Sequence, residues 1–247
     1  MIRLPIALLS ISIFATLPTV TKNIGNLNGN HTITLDGFEN KKKSKNNFIE
    51  LNSNKYAEWN LDKLGISYTV FNYAAKGLTY LAQHHQLLQQ HLITIIDFSK
   101  PSTQKRLFII DIENGKILFN TLVAHGKNSG KLFATSFSNI VSSLESSPGF
   151  YITQNIYQGK HGLSLKLQGV ENGINNNALQ RAIVMHGADY VTENFIEQNG
   201  FLGRSHGCPA IPTNIALNII NTIKNGSCLF IYAPSKKYLS ASAIINS

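Results

Sequence analysis

The chain has 247 residues, of which 43% are hydrophobic and only 14% charged, and 22 Lys and Arg against 13 Asp and Glu give a formal net charge of +9. That length allows one or two domains with an ordinary core, and the low charge leaves a surface built from Asn, Ser, Thr and Gln. Two cysteines, Cys208 and Cys228, exclude a disulfide framework and leave too few thiolates for a cysteine-built zinc site.

The N-terminus places Arg3 before an apolar run from Leu4 to Leu17. This layout predicts a secretory signal peptide over 1–20, with a retained N-terminal anchor as the alternative; the run is too short for a comfortable transmembrane helix, and no stable membrane span is expected after signal removal. An exported chain follows, resident in the periplasm or cell envelope. Residues 21–58 are rich in Asn, Lys, Gly and Ser with no sustained apolar period, which predicts a flexible polar linker. Part of the positive charge sits here, in Lys41-Lys42-Lys43-Ser44-Lys45. No aromatic residue interleaves with these lysines, so the run reads as solvated linker and no nucleic-acid partner is expected.

From residue 59 to 91 the apolar positions recur near the helical period: Leu64, Val70, Phe71, Ala74, Ala75, Leu78, Leu81, Ala82, Leu87 and Leu88. A small helical segment packed on the main domain is predicted, with Gly65 and Gly77 as candidate breaks. His84, His85 and His91 lie in its polar end without matching acidic ligands, so no metal is expected there. Residues 92–234 change to β-rich patterning. Strands are predicted at Leu92–Phe98, Arg106–Ile112, Ile117–Ala124, Phe150–Thr153, Leu163–Leu167, Ala182–Met185 and Cys228–Ala233, with Asn114-Gly115 as a hairpin turn. Helices are predicted near Thr192–Gln198 and Thr213–Lys224. The class is mainly β (α+β), a mixed sheet curled into a sandwich or barrel. Residues 235–247 read as a loose tail, and Cys228, inside an apolar strand, reads as a small buried hydrophobe.

Reactive residue types crowd at two places: Met185-His186-Gly187-Ala188-Asp189-Tyr190 and Arg204-Ser205-His206-Gly207-Cys208-Pro209. A thiol beside a base becomes a thiolate and attacks a carbonyl to form a thioester. Backbone N–H groups of Gly207 and Cys208 are candidates for the oxyanion site, provided the loop turns them inward. His206, two positions before Cys208, and His186, from another strand, are both candidates for the base, and spacing alone does not choose between them. Asp189 and Tyr190 follow His186 closely, where they can orient the base or contact substrate. His125-Gly126-Lys127-Asn128-Ser129-Gly130 lacks the pattern of a phosphate loop and reads as a structural rim loop, with His125 standing behind the site.

Ser205-His206-Gly207-Cys208, preceded at a distance by His186-Gly187, resembles the signature of the L,D-transpeptidases of the YkuD type. Asp97-Phe98-Ser99-Lys100-Pro101, Arg106-Leu107-Phe108, the 125–130 loop and Cys208-Pro209-Ala210 extend the resemblance to the divergent murein L,D-transpeptidase catalytic-domain family, over about residues 60 to 233. The resemblance implies an L,D-transpeptidase-like β sandwich or barrel without cofactor or metal. It implies Cys208 as nucleophile, His186 as general base held by the Gly187 carbonyl, and His206, Gly207 and Cys208 lining the oxyanion site. It implies action on peptidoglycan stem peptides, at the bond between the L-centre of the third residue and the D-residue in fourth position. The acyl group then passes to a second stem peptide, to a D-amino acid or to water. Release to water makes an L,D-carboxypeptidase, and a wall-binding protein that keeps the fold without catalysis is a further alternative. Typical members carry Arg or Asn two residues after the cysteine, where this chain has Ala210. Arg204 is expected to supply a two-pronged carboxylate contact instead, with Ser205 and Tyr190 as further substrate contacts.

Overall fold

The computed structural model describes residues 51–160 and 162–247. The expected signal peptide, the lysine run, most of the linker and His161 lie outside them. Helix α1 (Ser53–Glu58) begins at Asn52, whose side chain accepts from the N–H of Asn54 and Lys55 at 3.1 and 3.3 Å. Residues 53–58, expected as part of a linker, are therefore helical. Tyr56 explains why: its ring packs on Phe71 at 5.5 Å between centroids and its hydroxyl donates to the Ile66 carbonyl at 2.8 Å.

Helix α2 (Tyr68–Gln83) is capped by Ser67 and buries the stripe Val70, Phe71, Ala74, Ala75, Leu78, Leu81 and Ala82. It runs unbroken through Gly77. A Cβ there would lie 1.9 Å from the Phe150 ring, so this glycine lets the helix approach the sheet instead of ending the helix.

Eight strands form one sheet: β1 (Gln89–Asp97), β2 (Leu107–Asp111), β3 (Lys116–Thr121), β4 (Gly149–Gly159), β5 (Gly162–Gly169), β6 (Val184–Ala188), β7 (Ala210–Pro212) and β8 (Ser227–Tyr232), in the order β3-β2-β1-β8-β4-β5-β6-β7. Pairs β1–β8 and β6–β7 are parallel and the others antiparallel. Past β3 the chain crosses to the far edge, where Ala124 bridges Ala210 and Gly126 bridges Ser205. The sheet is thus a near-barrel.

The two-residue side-chain period sorts the core. Ile93, Ile95, Phe108, Ile110, Phe150, Cys228 and Phe230 face α2. Leu107, Ile109, Tyr151, Leu165, Met185, Leu229 and Ile231 pack with Ile219, Ile220 and Ile223 of helix α4 (Thr213–Ile223). Strand β8 is buried along its whole length because both layers cover it. Cys228 is one of its fully buried residues and its thiol is pushed far up by burial.

Helix α3 (Glu193–Asn199) follows β6, and a short helix α5 (Lys236–Ala241) follows β8. Residues 235–247, expected to be loose, are docked. Tyr238, Ile244 and Ile245 enter the α2-side core, Ser242 Oγ donates to buried Glu171, and Lys76 Nζ holds the Ile245 carbonyl at 2.9 Å. One tyrosine and an adjacent isoleucine pair leave little periodic signal, yet all three are buried in the core. Among the described residues no helix is long and apolar enough to cross a membrane.

Candidate active site

Strand β6 carries His186 between two neighbours: Ser164 of β5 on one side and Ala210 of β7 on the other. Because β6 and β7 are parallel, the residue two positions before Ala210, Cys208, enters at the edge of the same strand pair. Adjacent strands lie roughly 4.8 Å apart. His186 and Cys208 open into one cavity of about 320 Å³, together with Tyr190, Arg204, Ser205 and His206.

His186 is 3% exposed. Its Nδ1 lies 2.8 Å from the Gly187 carbonyl. A carbonyl can only accept, so Nδ1 carries the proton and Nε2 is the basic nitrogen. Gly187 sits in a tight place: a Cβ there would stand 3.0 Å from the Ala216 side chain and 3.2 Å from the Thr213 Cα at the start of α4.

Cys208 is a half-buried free thiol. Burial raises its pKa, while a hydrogen bond from the Val184 N–H and the positive charge of Arg181 pull it down. Its Sγ lies 3.7 Å from the Ala182 carbonyl. Ala182 adopts φ 53°, the left-handed region, at a penalty of about 1–2 kcal/mol for a residue with a Cβ. That turn aims its carbonyl at the sulfur.

The Ser205–Cys208 loop is braced from within. Ser205 is buried; its Oγ donates to the Cys208 carbonyl at 2.6 Å and accepts the Gly207 N–H at 3.0 Å. The Gly207 N–H is therefore already engaged, and Ser205 works on its own loop. Gly207 has φ 119°, and a Cβ there would meet the Glu145 carbonyl at 2.7 Å. Its own carbonyl accepts from Ser146 Oγ at 3.1 Å, and the same Oγ accepts the Gly126 N–H at 3.0 Å. His206 is exposed on the rim.

Arg204 gives Nη1 to the carbonyls of Lys127 and Gly130, at 3.0 and 3.1 Å, and stacks its guanidinium 5.4 Å from the Phe201 ring centre. Tyr190 borders the cavity, its hydroxyl pushed up to about 12 by burial and then by Cys208. Asp189 turns away: it accepts from Thr213 Oγ1 at 2.8 Å.

The 125–130 loop stands behind the site. His125 is 1% exposed; its Nδ1 accepts from Arg106 Nη2 at 2.8 Å and its Nε2 meets the Gly130 carbonyl at 3.3 Å. Burial, and then the Arg106 charge, lower its pKa to about 4. The His125 carbonyl takes the Ser205 N–H at 3.0 Å, which ties this buried pair to the Cys208 loop.

Arg181 and Ser146, which hold the thiol loop, were not singled out by sequence. The one available hint for Arg181 is its position as the last cation before the apolar run Ala182–Met185. Ser146 lies in a Ser-rich stretch with no distinguishing pattern.

Fold and site together define a class: a mostly β domain whose near-barrel sheet carries a cysteine–histidine cavity at its parallel edge. Residues 62–232 match the L,D-transpeptidase catalytic domain, and the chain belongs to that family. No curated protein matches the sequence. Solved structures similar in fold include a mutant of the helical cell shape determining protein Pgp2 from Campylobacter jejuni, at 15% identity and TM-score 0.39, covering 73% of this chain and 63% of that one. An L,D-transpeptidase (Yku) from Stackebrandtia nassauensis is similar at 14% identity and TM-score 0.35, covering 69% of each chain. An L,D-transpeptidase from Mycobacterium smegmatis is similar at 12% identity and TM-score 0.36, covering 58% of this chain, which spans 59% of that one.

Proposed function

We propose that this chain is an exported cysteine acyltransferase acting on peptidoglycan stem peptides. The observation that carries the reading is the β6–β7 pairing, which sets His186 opposite Ala210, two residues past Cys208, in one cavity of a chain from this family. His186 Nε2 takes the Cys208 proton, and the thiolate attacks the carbonyl carbon of the third residue of a stem peptide. The backbone N–H of Cys208 serves the resulting oxyanion, since that of Gly207 is engaged with Ser205 Oγ. The imidazolium then protonates the leaving amine of the D-residue. A thioester remains on Cys208, and the amine of a second stem peptide resolves it and frees the thiol.

A second cavity of about 430 Å³ adjoins the first through Tyr157, Ala182 and Val184 and is the space we assign to an acyl acceptor. With Nη1 committed to two carbonyls, the rest of the Arg204 guanidinium supplies the carboxylate contact that Ala210 lacks.

Incubation with tetrapeptide muropeptides, followed by mass spectrometry, tests the reading. Cross-linked dimers are expected from the full chain and none from Cys208→Ala. Tripeptides alone would mean a carboxypeptidase, and unchanged substrate with bound fragments a wall-binding protein. His186→Ala is expected to lower the rate far more than His206→Ala, and the reverse order would move the base to His206. Arg204→Lys is expected to raise KM for stem peptides.

A further inference from the structure

We infer that Arg181, together with the 182–184 backbone that follows it, is the positioning element that sets the charge state of Cys208. This deepens the reading of Cys208 as nucleophile and rests on it.

The Arg181 guanidinium is wedged between the 138–147 loop and Gly207. Nη1 donates to the Ser138 carbonyl at 2.6 Å and to Ser147 Oγ, and Nη2 donates to the Glu145 carbonyl at 2.5 Å and to Ser143 Oγ at 3.2 Å. Every one of these partners is neutral. Among the described residues the only ion pair joins Lys55 and Glu58, far along the chain. Arg181 is thus held by dipoles that orient its charge, and besides Cys208 the ionisable groups acting on it are Tyr151 and the Glu145 carboxylate. A Cβ on Gly207, the residue before Cys208, would stand 3.3 Å from Nη2, so glycine there lets the cation close on the thiol loop.

The chain then turns through Ala182 in its left-handed conformation. The Ala182 carbonyl is an acceptor for the thiol S–H. The Val184 N–H is a donor to the sulfur, and this contact favours the thiolate. One four-residue segment therefore gives the sulfur an acceptor for its protonated form, and a donor and a nearby positive charge for its ionised form. Burial lowers the pKa of Arg181, opposed by Tyr151, Cys208 and Glu145, and burial raises that of Cys208, opposed by the Val184 N–H and Arg181. The other ionisable groups around the cavity are His186 of β6, Tyr157 and Lys160 from the end of β4, Tyr190, and Arg204 and His206 of the thiol loop itself. His186 is the group proposed to receive the proton that Cys208 loses, and Arg181 makes that transfer easier without touching the reacting carbonyl.

The test is the pH dependence of Cys208 alkylation by iodoacetamide in the full chain, read by peptide mass so that buried Cys228 does not contribute. Arg181→Gln is expected to move the midpoint up by about one pH unit, a roughly tenfold loss of thiolate below it. Arg181→Lys is expected to recover at least half of that shift. Ser143→Asp supplies a second probe that keeps the arginine and its packing while placing an anion on Nη2. It too is expected to raise the midpoint, and it decides the matter if Arg181→Gln does not fold. An unchanged midpoint in folded Arg181→Gln or Ser143→Asp overturns the inference. So does an equal rise in Arg181→Gln and Arg181→Lys, which would mean that only the shape of the guanidinium matters. Alkylation uses no muropeptide, so this result is separate from the Cys208→Ala experiment. Loss of the acyltransferase reading leaves the midpoint measurement standing, and an unmoved midpoint leaves that reading intact.

Discussion

Ser205→Ala separates a loop brace from a substrate contact. The hydroxyl makes two hydrogen bonds within its own turn, donating to the Cys208 carbonyl at 2.6 Å and accepting the Gly207 N–H at 3.0 Å. Removing it strands the Gly207 N–H, which is buried and has no route to water; such a group costs about 1–3 kcal/mol. Cys208 is half-buried, so its carbonyl can regain water and loses only about 1 kcal/mol. The sum is about 2–4 kcal/mol, which in a domain of this size lowers Tm by roughly 5–15 °C. Thermal melts and urea titrations of the full chain measure it. Turnover is expected to fall mainly through kcat, because the sulfur loses its fixed place against His186. A variant that melts within about 1 °C of the parent while KM for stem peptides rises would refute the reasoning. In that case the hydroxyl is spent on substrate.

Acid is expected to strike at His125. An unfolded histidine takes a proton near pH 6.5, whereas the folded one stays neutral down to about pH 4. The unfolded state therefore binds more protons between these values, and stability falls as pH drops through that window, by about 3 kcal/mol. The difference between wild type and His125→Asn in urea titrations at pH 7 and pH 4 isolates this contribution, and equal losses in both would remove it. Gly77→Ala, with its Cβ aimed at the Phe150 ring, is expected to cost about 1–3 kcal/mol and to loosen α2 in hydrogen exchange. Ending the chain after Pro234 removes Tyr238, Ile244 and Ile245 from the core and strips Glu171 of Ser242. The expected loss is about 5 kcal/mol, read as a lowered urea midpoint; an unshifted midpoint would mean that the segment is loose after all.

The β-rich class, the helix α2 and most strands were legible from the sequence because their signals are local. Apolar residues at helical spacing made the stripe from Val70 to Ala82, and Asn114-Gly115 marked the β2–β3 turn. The crowding of reactive types at His186-Gly187 and Ser205–Cys208 was also visible, but not whether the two meet. Other features depend on residues distant in sequence. Gly77 looked like a helix break until Phe150 occupied the space beside it. Tyr238, Ile244 and Ile245 carry no period, and only the α2-side core makes them an anchor. Ser205 is expected as a substrate contact, and only the fold shows that its hydroxyl makes two hydrogen bonds within its own turn. Arg181 had only its place before an apolar run to mark it, because its partners lie in a loop 34 to 43 residues earlier. The sequence by itself determined which atoms can react. The tertiary structure decided which of them share a cavity, which donors are already engaged and which charges reach the sulfur, because these depend on distances that a linear order does not encode.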